Sequence, residues 1–373
     1  MEFGARCGLR AYSCEMKNLT IGAALLAALA LGVYALTNSP ATAGPITIGV
    51  IAPLSGQYAF LGESERNAMQ LAAEDLLGEG QEVRLIFEDD KYEAKTGLTA
   101  YQKLKSVDNV DAVVTVSAPV IEVLRPVVAK DQMLMLTLGE SLFHESDTVF
   151  QLMPASDLIA PKLGEEAAKR YKKIAVVYGA GGSLWQKWHD DFVKGVGDKA
   201  ETITVALAPD SDFRTEVAKL VAAKPDAATV FLPLEDGVKY LKELQRLDAS
   251  GSVQVICDGN LEFSIQQYID EVGAEIFDDC ISTTLPNTMT GDFVSRFKAK
   301  FNADPFLTAD YAYDAVAIIA DLASIDKSEW VAELNDDYSI AGASADVSFN
   351  AAGTRSAQVV LHQFVDGKFV DAK

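Results

Sequence analysis

The sequence predicts an α/β protein built as two Rossmann-like lobes, each a parallel sheet covered by helices. Three observations lead there. From Ile46 onward, short apolar runs alternate with amphipathic stretches, the pattern of strand–helix–strand units. The chain has 373 residues, more than one small core needs. The strands also fall into two groups, one beginning at Ile46 and one near Ile174. The stretch between them, Met153–Pro161, carries two prolines and polar residues.

Before the first strand, Met16–Gly44 reads MKNLTIGAALLAALALGVYALTNSPATAG. Lys17 opens a short polar region, Leu19–Leu36 is uncharged and rich in Ala and Leu, and Ala41-Thr42-Ala43 is a small-residue cleavage site. This is a secretory signal pattern. The apolar run is also just long enough to span a membrane if left uncut, so a cleaved leader and a retained N-terminal anchor both stand. Met1–Glu15 fit no targeting logic, and a simple account starts the protein at Met16. Cys7 and Cys14 lie upstream of the apolar run, away from the place of a lipoprotein cysteine.

The first strand, Ile46–Ile51, ends in Pro53-Leu54-Ser55-Gly56, followed by Tyr58, Phe60 and Gly62. A helix over Glu63–Leu77 comes next, with Ala68, Leu71, Ala72 and Leu76 on one face. Such a junction places small polar groups and free backbone N–H donors at the sheet's carboxyl edge, where open α/β sheets bind ligands. Ser55 and Tyr58 are therefore candidate ligand residues. Strands at Val83–Glu88, Ala112–Val116 and Met133–Leu136 continue the first group, with helices at Ala94–Ser106 and Val120–Ala129.

The second group comprises strands Ile174–Tyr178, Thr202–Ala206, Ala227–Leu232, Val253–Cys257 and Ile281–Leu285. Its helices are Leu158–Tyr171, Leu184–Val196, Phe213–Ala223, Gly237–Leu247 and Phe263–Val272. Alternation of this kind predicts parallel sheets with right-handed crossovers. Phe293–Phe301 and Ala309–Ser324 read as later helices, and Val347–Phe349 with Val359–Val365 as a hairpin or meander.

A formal net charge of −22 with no basic stripe excludes nucleic acid and anionic lipid as partners. Export permits a disulfide between Cys257 and Cys280. However, one ends a strand and the other begins the next. In neighbouring parallel strands those positions lie at opposite sheet edges, so no bridge is expected. No CxxC or Cys/His spacing exists, and neither a metal nor a cofactor is expected.

Several segments in order resemble the type I periplasmic binding proteins, specifically the leucine/isoleucine/valine-binding receptors of ABC importers. They are IGVIAPLSGQYAFLG (48–62), LIFEDDKYEAKTG (85–97), AVVTVSAPVIEVLRPVV (112–128), MLMLTLGESL (133–142), KKIAVVYGAGGSLWQK (172–187), DFRTEVAKL (212–220) and ADYAYDAVAIIADLA (309–323). The resemblance implies two lobes joined by three crossings, one of residues 46–155 and 286–335, the other of 156–285 and 336–373. It also implies a hinged cleft that traps a small-molecule ligand, an amino acid or analogue, and then docks on ABC permease subunits. The place of work would be periplasmic or extracellular.

The resemblance places the ligand carboxylate near Ser117, which would otherwise be a helix N-cap. It places a backbone carbonyl at Glu140 and a hydroxyl at Ser141, in the loop Gly139-Glu140-Ser141. Glu140 departs from the usual small residue, pointing either to solvent or into the pocket. Asp258 matches the acidic partner of the ammonium, or else an Asx turn before Gly259. Glu235 stands where an aromatic is usual, or caps the helix that follows. Trp185 is the strongest aromatic candidate to close the cleft. Asp89 and Asp90 read as capping or surface residues.

An enzyme is the weaker reading. Gly179-Ala180-Gly181-Gly182-Ser183-Leu184 fails the dinucleotide pattern at Leu184, and none of the three histidines sits in a nucleophile motif. A ligand-sensing module that regulates a signalling partner shares the fold, and neighbouring genes would discriminate.

Overall fold

The computed structural model describes residues 45–140, 147–154, 156–248, 251–284, 289, 291–306 and 308–372. The leader, Cys7, Cys14 and the candidate Ser141 lie outside the described residues. Among the described residues, no helix is long and apolar enough to cross a membrane.

The first sheet is wholly parallel. Its strands are β1 (Ile46–Ala52), β2 (Val83–Asp89), β3 (Ala112–Thr115), β4 (Met135–Thr137) and β5 (Val149–Gln151), in the order β2-β1-β3-β4-β5. β1 and β3 are covered on both faces, which is why they read as unbroken apolar runs. β5 is only three residues long and shows no periodicity of its own. It is a strand because β4 offers it an edge.

Three helices connect this sheet: α1 (Ala59–Gly78), α2 (Ala94–Ser106) and α3 (Ala118–Asp131). α1 starts four residues before the apolar pattern does, and its first turn folds against the β1 loop. A Cβ on Gly62 would lie 2.3 Å from the Pro53 carbonyl oxygen, so this approach needs glycine.

The second sheet repeats the order of the first four strands. Its strands are β6 (Lys173–Gly179), β7 (Glu201–Leu207), β8 (Ala227–Phe231) and β9 (Gln254–Ile256), arranged β7-β6-β8-β9, again parallel. Around it run α4 (Ser156–Arg170), α5 (Ser183–Val196), α6 (Phe213–Ala223), α7 (Leu234–Leu247), α8 (Gly259–Phe263) and α9 (Ile265–Val272). In both sheets the strand order reverses beside the first strand, so both have a switch point at the carboxyl edge.

Three expectations are corrected. First, β10 (Ile281–Thr284) is not a further parallel strand of the second sheet. It pairs antiparallel with β13 (Val360–Val365), which pairs with β14 (Lys368–Asp371). Second, Cys257 and Cys280 form a disulfide, with Cα atoms 5.8 Å apart. The start of β10 meets the end of β9 instead of lying beside it: the Cys257 N–H donates to the Ile281 carbonyl at 3.0 Å. That stagger brings together two ends that a side-by-side pair would separate. Third, β12 (Val347–Ser348) pairs with β11 (Ser339–Ile340) and not with the 359–365 segment.

The β11–β12 ribbon also packs elsewhere than expected. Tyr338 and Val347 lie in the core of the first sheet, with Phe293 and Phe297 of α10 (Gly291–Phe301), Ile319 of α11 (Ala309–Leu322) and Trp330 of α12 (Trp330–Asn335). Only the 359–371 stretch joins the second lobe, through Phe364 and Phe369.

The segments at Gln151 and Thr354 run side by side in a parallel bridge. Gln151 receives the Arg355 N–H and donates its own N–H to Gly353, each at 2.8 Å. Arg355 is buried. Its guanidinium lies 3.4 Å from the Asp314 carboxylate and stacks over the Tyr311 ring at 4.9 Å.

Candidate functional site

The loops at the carboxyl edge of the first sheet are tied to one another. After β1, the Ser55 hydroxyl donates to Asp89 at 2.5 Å, and Asp89 also accepts the N–H groups of Leu54 and Lys91. Burial raises the Asp89 pKa, but these hydrogen bonds outweigh it and hold the carboxylate below its ordinary range. Ser55 is thus exposed but engaged. Tyr58 ends the loop with its ring 4.2 Å from that of Tyr92. Tyr92 adopts φ +64°, an uncommon conformation for a bulky side chain, and this turn sets its ring under Tyr58.

Asp90 is no surface residue. It is fully buried, with Oδ1 accepting the Tyr92 N–H at 2.7 Å and Oδ2 without a partner. Burial raises its pKa. Ser117 lies close enough to favour the charged form, yet makes no well-directed hydrogen bond. The Ser117 hydroxyl does not cap α3; its backbone carbonyl instead accepts from Val120 and Ile121.

Glu65, from α1, completes this acidic cluster. It accepts from the Thr308 hydroxyl, and its other oxygen has no partner. Burial pushes its pKa up to about 8, against the Thr308 hydrogen bond and with help from the Asp90 charge. Among the described residues, no lysine or arginine pairs with Glu65, Asp90 or Asp258.

Gly139 brings the β3 and β4 loops together, since a Cβ there would lie 2.3 Å from the Val116 carbonyl oxygen. The next residue does not point to solvent. Glu140 is 6% exposed, and both its oxygens accept from second-lobe groups. The Ser156 N–H donates at 2.7 Å and the Trp188 indole N–H at 3.1 Å.

On the second lobe, Trp185 lies half-buried in the first turn of α5, its ring against Gly182 and Gly179 of the β6 loop. Glu235 is exposed in the first turn of α7, where its charge suits the helix N-terminus. Asp258 is buried and caps α8. Its Oδ1 accepts the Leu261 N–H at 2.7 Å, and Oδ2 lies 3.3 Å from the Asn260 amide nitrogen. Burial raises its pKa to about 6.

The lobes also meet through aromatic rings. Phe306 stacks edge-on at 5.1 Å with Phe60 of α1 and, at the same distance, with Phe263 of α8. Sequence reasoning missed Glu65, Tyr92, Phe263 and Phe306, and it read Asp90 as a capping or surface residue; Phe60 stood with Tyr58 and Trp185 among the aromatics able to close a cleft or pack at the lobe rim. Of the missed residues, only Glu65 carried a legible signal, because it shares the helical phase of Ala68, Met69 and Ala72.

Comparison with known proteins matches the fold. A family model described as periplasmic binding protein matches residues 45–357. A Leu/Ile/Val-binding protein, BraC3 of Rhizobium johnstonii, is 27% identical over 362 residues, covering 91% of this chain and 97% of its own. The leucine binding protein LivK of Thermotoga maritima superposes with a TM-score of 0.72 at 18% identity, covering 88% of this chain and 98% of its own. A solute binding protein from R. palustris, solved with benzoate, gives a TM-score of 0.69 at 18% identity over 88% of this chain and 95% of its own. A match spanning most of the sequence, on two parallel sheets that each reverse strand order beside their first strand, places this chain in the periplasmic binding protein family.

Proposed function

We propose that the protein is the extracytoplasmic receptor of an ABC importer, trapping an amino acid or similar small polar metabolite between its lobes. One observation carries the reading: the family model matches residues 45–357, a stretch that holds two parallel sheets, each with a switch point at its carboxyl edge. On the first lobe, Ser117 and the N-terminus of α3 suit a carboxylate. On the second, Asp258 suits an ammonium, since Oδ1 keeps acceptor capacity beyond its capping bond and Oδ2 keeps it beyond the Asn260 amide. Ser55, Tyr58, Gly139, Trp185 and Glu235 frame the gap. We take lobe one as residues 46–155 and 286 to about 356, a boundary supported by the packing of the β11–β12 ribbon in the core of the first sheet. The disulfide suits a chain that folds in an oxidising compartment.

The test is a thermal-shift and calorimetry screen against leucine, isoleucine, leucinamide and benzoate, because a ligand stabilises the native state by mass action. Asp258→Asn keeps a good N-cap and removes the charge. It is expected to weaken an α-amino acid about tenfold, on the order of 1.4 kcal/mol, with little change in Tm. Asp258→Ala is expected to lower both. Unchanged affinity in Asp258→Asn removes the residue from the site, and no stabilisation by any small solute refutes the receptor reading.

A further inference from the structure

We propose that Glu140 is a positioning residue: its carboxylate ties the β4 loop of the first lobe to the second lobe and so sets the gap in which a guest is held. The word guest rests on the receptor reading; the tie itself does not.

The carboxylate is committed on both oxygens, and both donors belong to the other lobe. Ser156 is the first residue of α4, so its N–H is one of the helix's unsatisfied terminal donors. An anion there is favoured by the helix dipole. Trp188 belongs to the core of the second lobe, its indole ring 6.0 Å from that of Phe231. The strut therefore ends on a rigid partner. A second set of contacts braces the helix side: the Ser156 hydroxyl donates to Asp191 at 3.0 Å, and Lys187 pairs with Asp191 at 2.6 Å. On the first lobe, the residue before Glu140 is held against the β3 loop, since a Cβ on Gly139 would lie 2.3 Å from the Val116 carbonyl oxygen.

A buried carboxylate needs its donors, and losing one strands a charge in low dielectric. Displacing the lobes at this point strips two donors together. Because Ser156 stands beside the first crossing, Glu140 acts at the hinge end and holds the pivot in register. Neutral isosteres do this poorly. Glutamine keeps one acceptor oxygen but turns an amide N–H toward the second donor. Alanine removes both bonds.

The experiment is hydrogen exchange with mass spectrometry on the full ligand-free chain, with solution scattering in parallel, for wild type, Glu140→Gln, Glu140→Ala and Trp188→Phe. The tie predicts exchange at 156–160 at least about tenfold faster in Glu140→Ala, with β1 protected as in wild type and a larger radius of gyration. Glu140→Gln is expected in between, and adding Trp188→Phe to it is expected to cost less than the sum of the single changes. If Glu140→Ala does not fold, Glu140→Gln and the double variant carry the test. Wild-type exchange at 156–160 in the variants overturns the proposal. So does uniform acceleration that includes β1, which marks Glu140 as a stability residue only. Either result leaves the receptor reading intact if the solute screen succeeds.

Discussion

Glu65 lies on the core-facing phase of α1 and keeps its proton through neutral pH. Its folded pKa of about 8 stands above the ordinary 4.5, so the folded chain holds a proton that the unfolded chain releases. The contribution to stability is full below about pH 4.5 and is lost as pH rises towards 8. For one proton the slope is about 1.4 kcal/mol per pH unit. Glu65→Gln should flatten that slope, leaving Tm near the wild-type value at pH 5 and above it at pH 8.5. A wild-type slope in the variant would show that other groups set it. At this scale the sequence was only partly legible. Ser117 and Asp258 were singled out because strand-end loops are where polar residues meet ligands. Asp90 and Tyr92 were not, because their burial depends on a turn with two successive left-handed residues, Lys91 and Tyr92. Glu140 was seen as an anomaly, but its partners lie 16 and 48 positions away, and no local pattern names them.

Among the elements, α4 and α5 are packed closest. A Cβ on Gly164 would lie 2.2 Å from the Phe192 carbonyl oxygen, and one on Gly195 would lie 1.9 Å from that of Pro161. Backbone meets backbone there, with no flexible side chain able to yield. Gly195→Ala is expected to destabilise by about 2 kcal/mol or more in denaturant titration, despite alanine's better helix propensity. A stabilised variant would contradict the close crossing. Elements with strong periodicity were readable to the residue: Ala94–Ser106 and Phe213–Ala223 coincide with α2 and α6. β5, β11 and β12 were not, because two or three residues show no period and pair only when a neighbour is already in place. The antiparallel pairing of β10 was hidden for a similar reason. Its apolar run fits either kind of sheet, and its partner β13 lies some eighty residues downstream.

For the molecule as a whole, the two parallel sheets were legible from alternation alone, whereas the lobe boundaries depend on contacts between distant segments. The proposed trapping of a guest between the lobes predicts a smaller radius of gyration on adding any solute that raises Tm. Stabilisation without compaction would mean that the lobes already stand closed. The Phe60–Phe306–Phe263 contact is the place to see closure, because Phe60 and Phe263 remain 52% and 41% exposed while bridging the lobes. The bridge between Cys257 and Cys280 has a different reach. Both sulfur-bearing residues are wholly sealed by the finished second lobe. An oxidant must therefore arrive before β9 and β10 settle, and a reductant arriving afterwards finds no path. Once made, the bond is a lasting imprint of the milieu in which the chain matured.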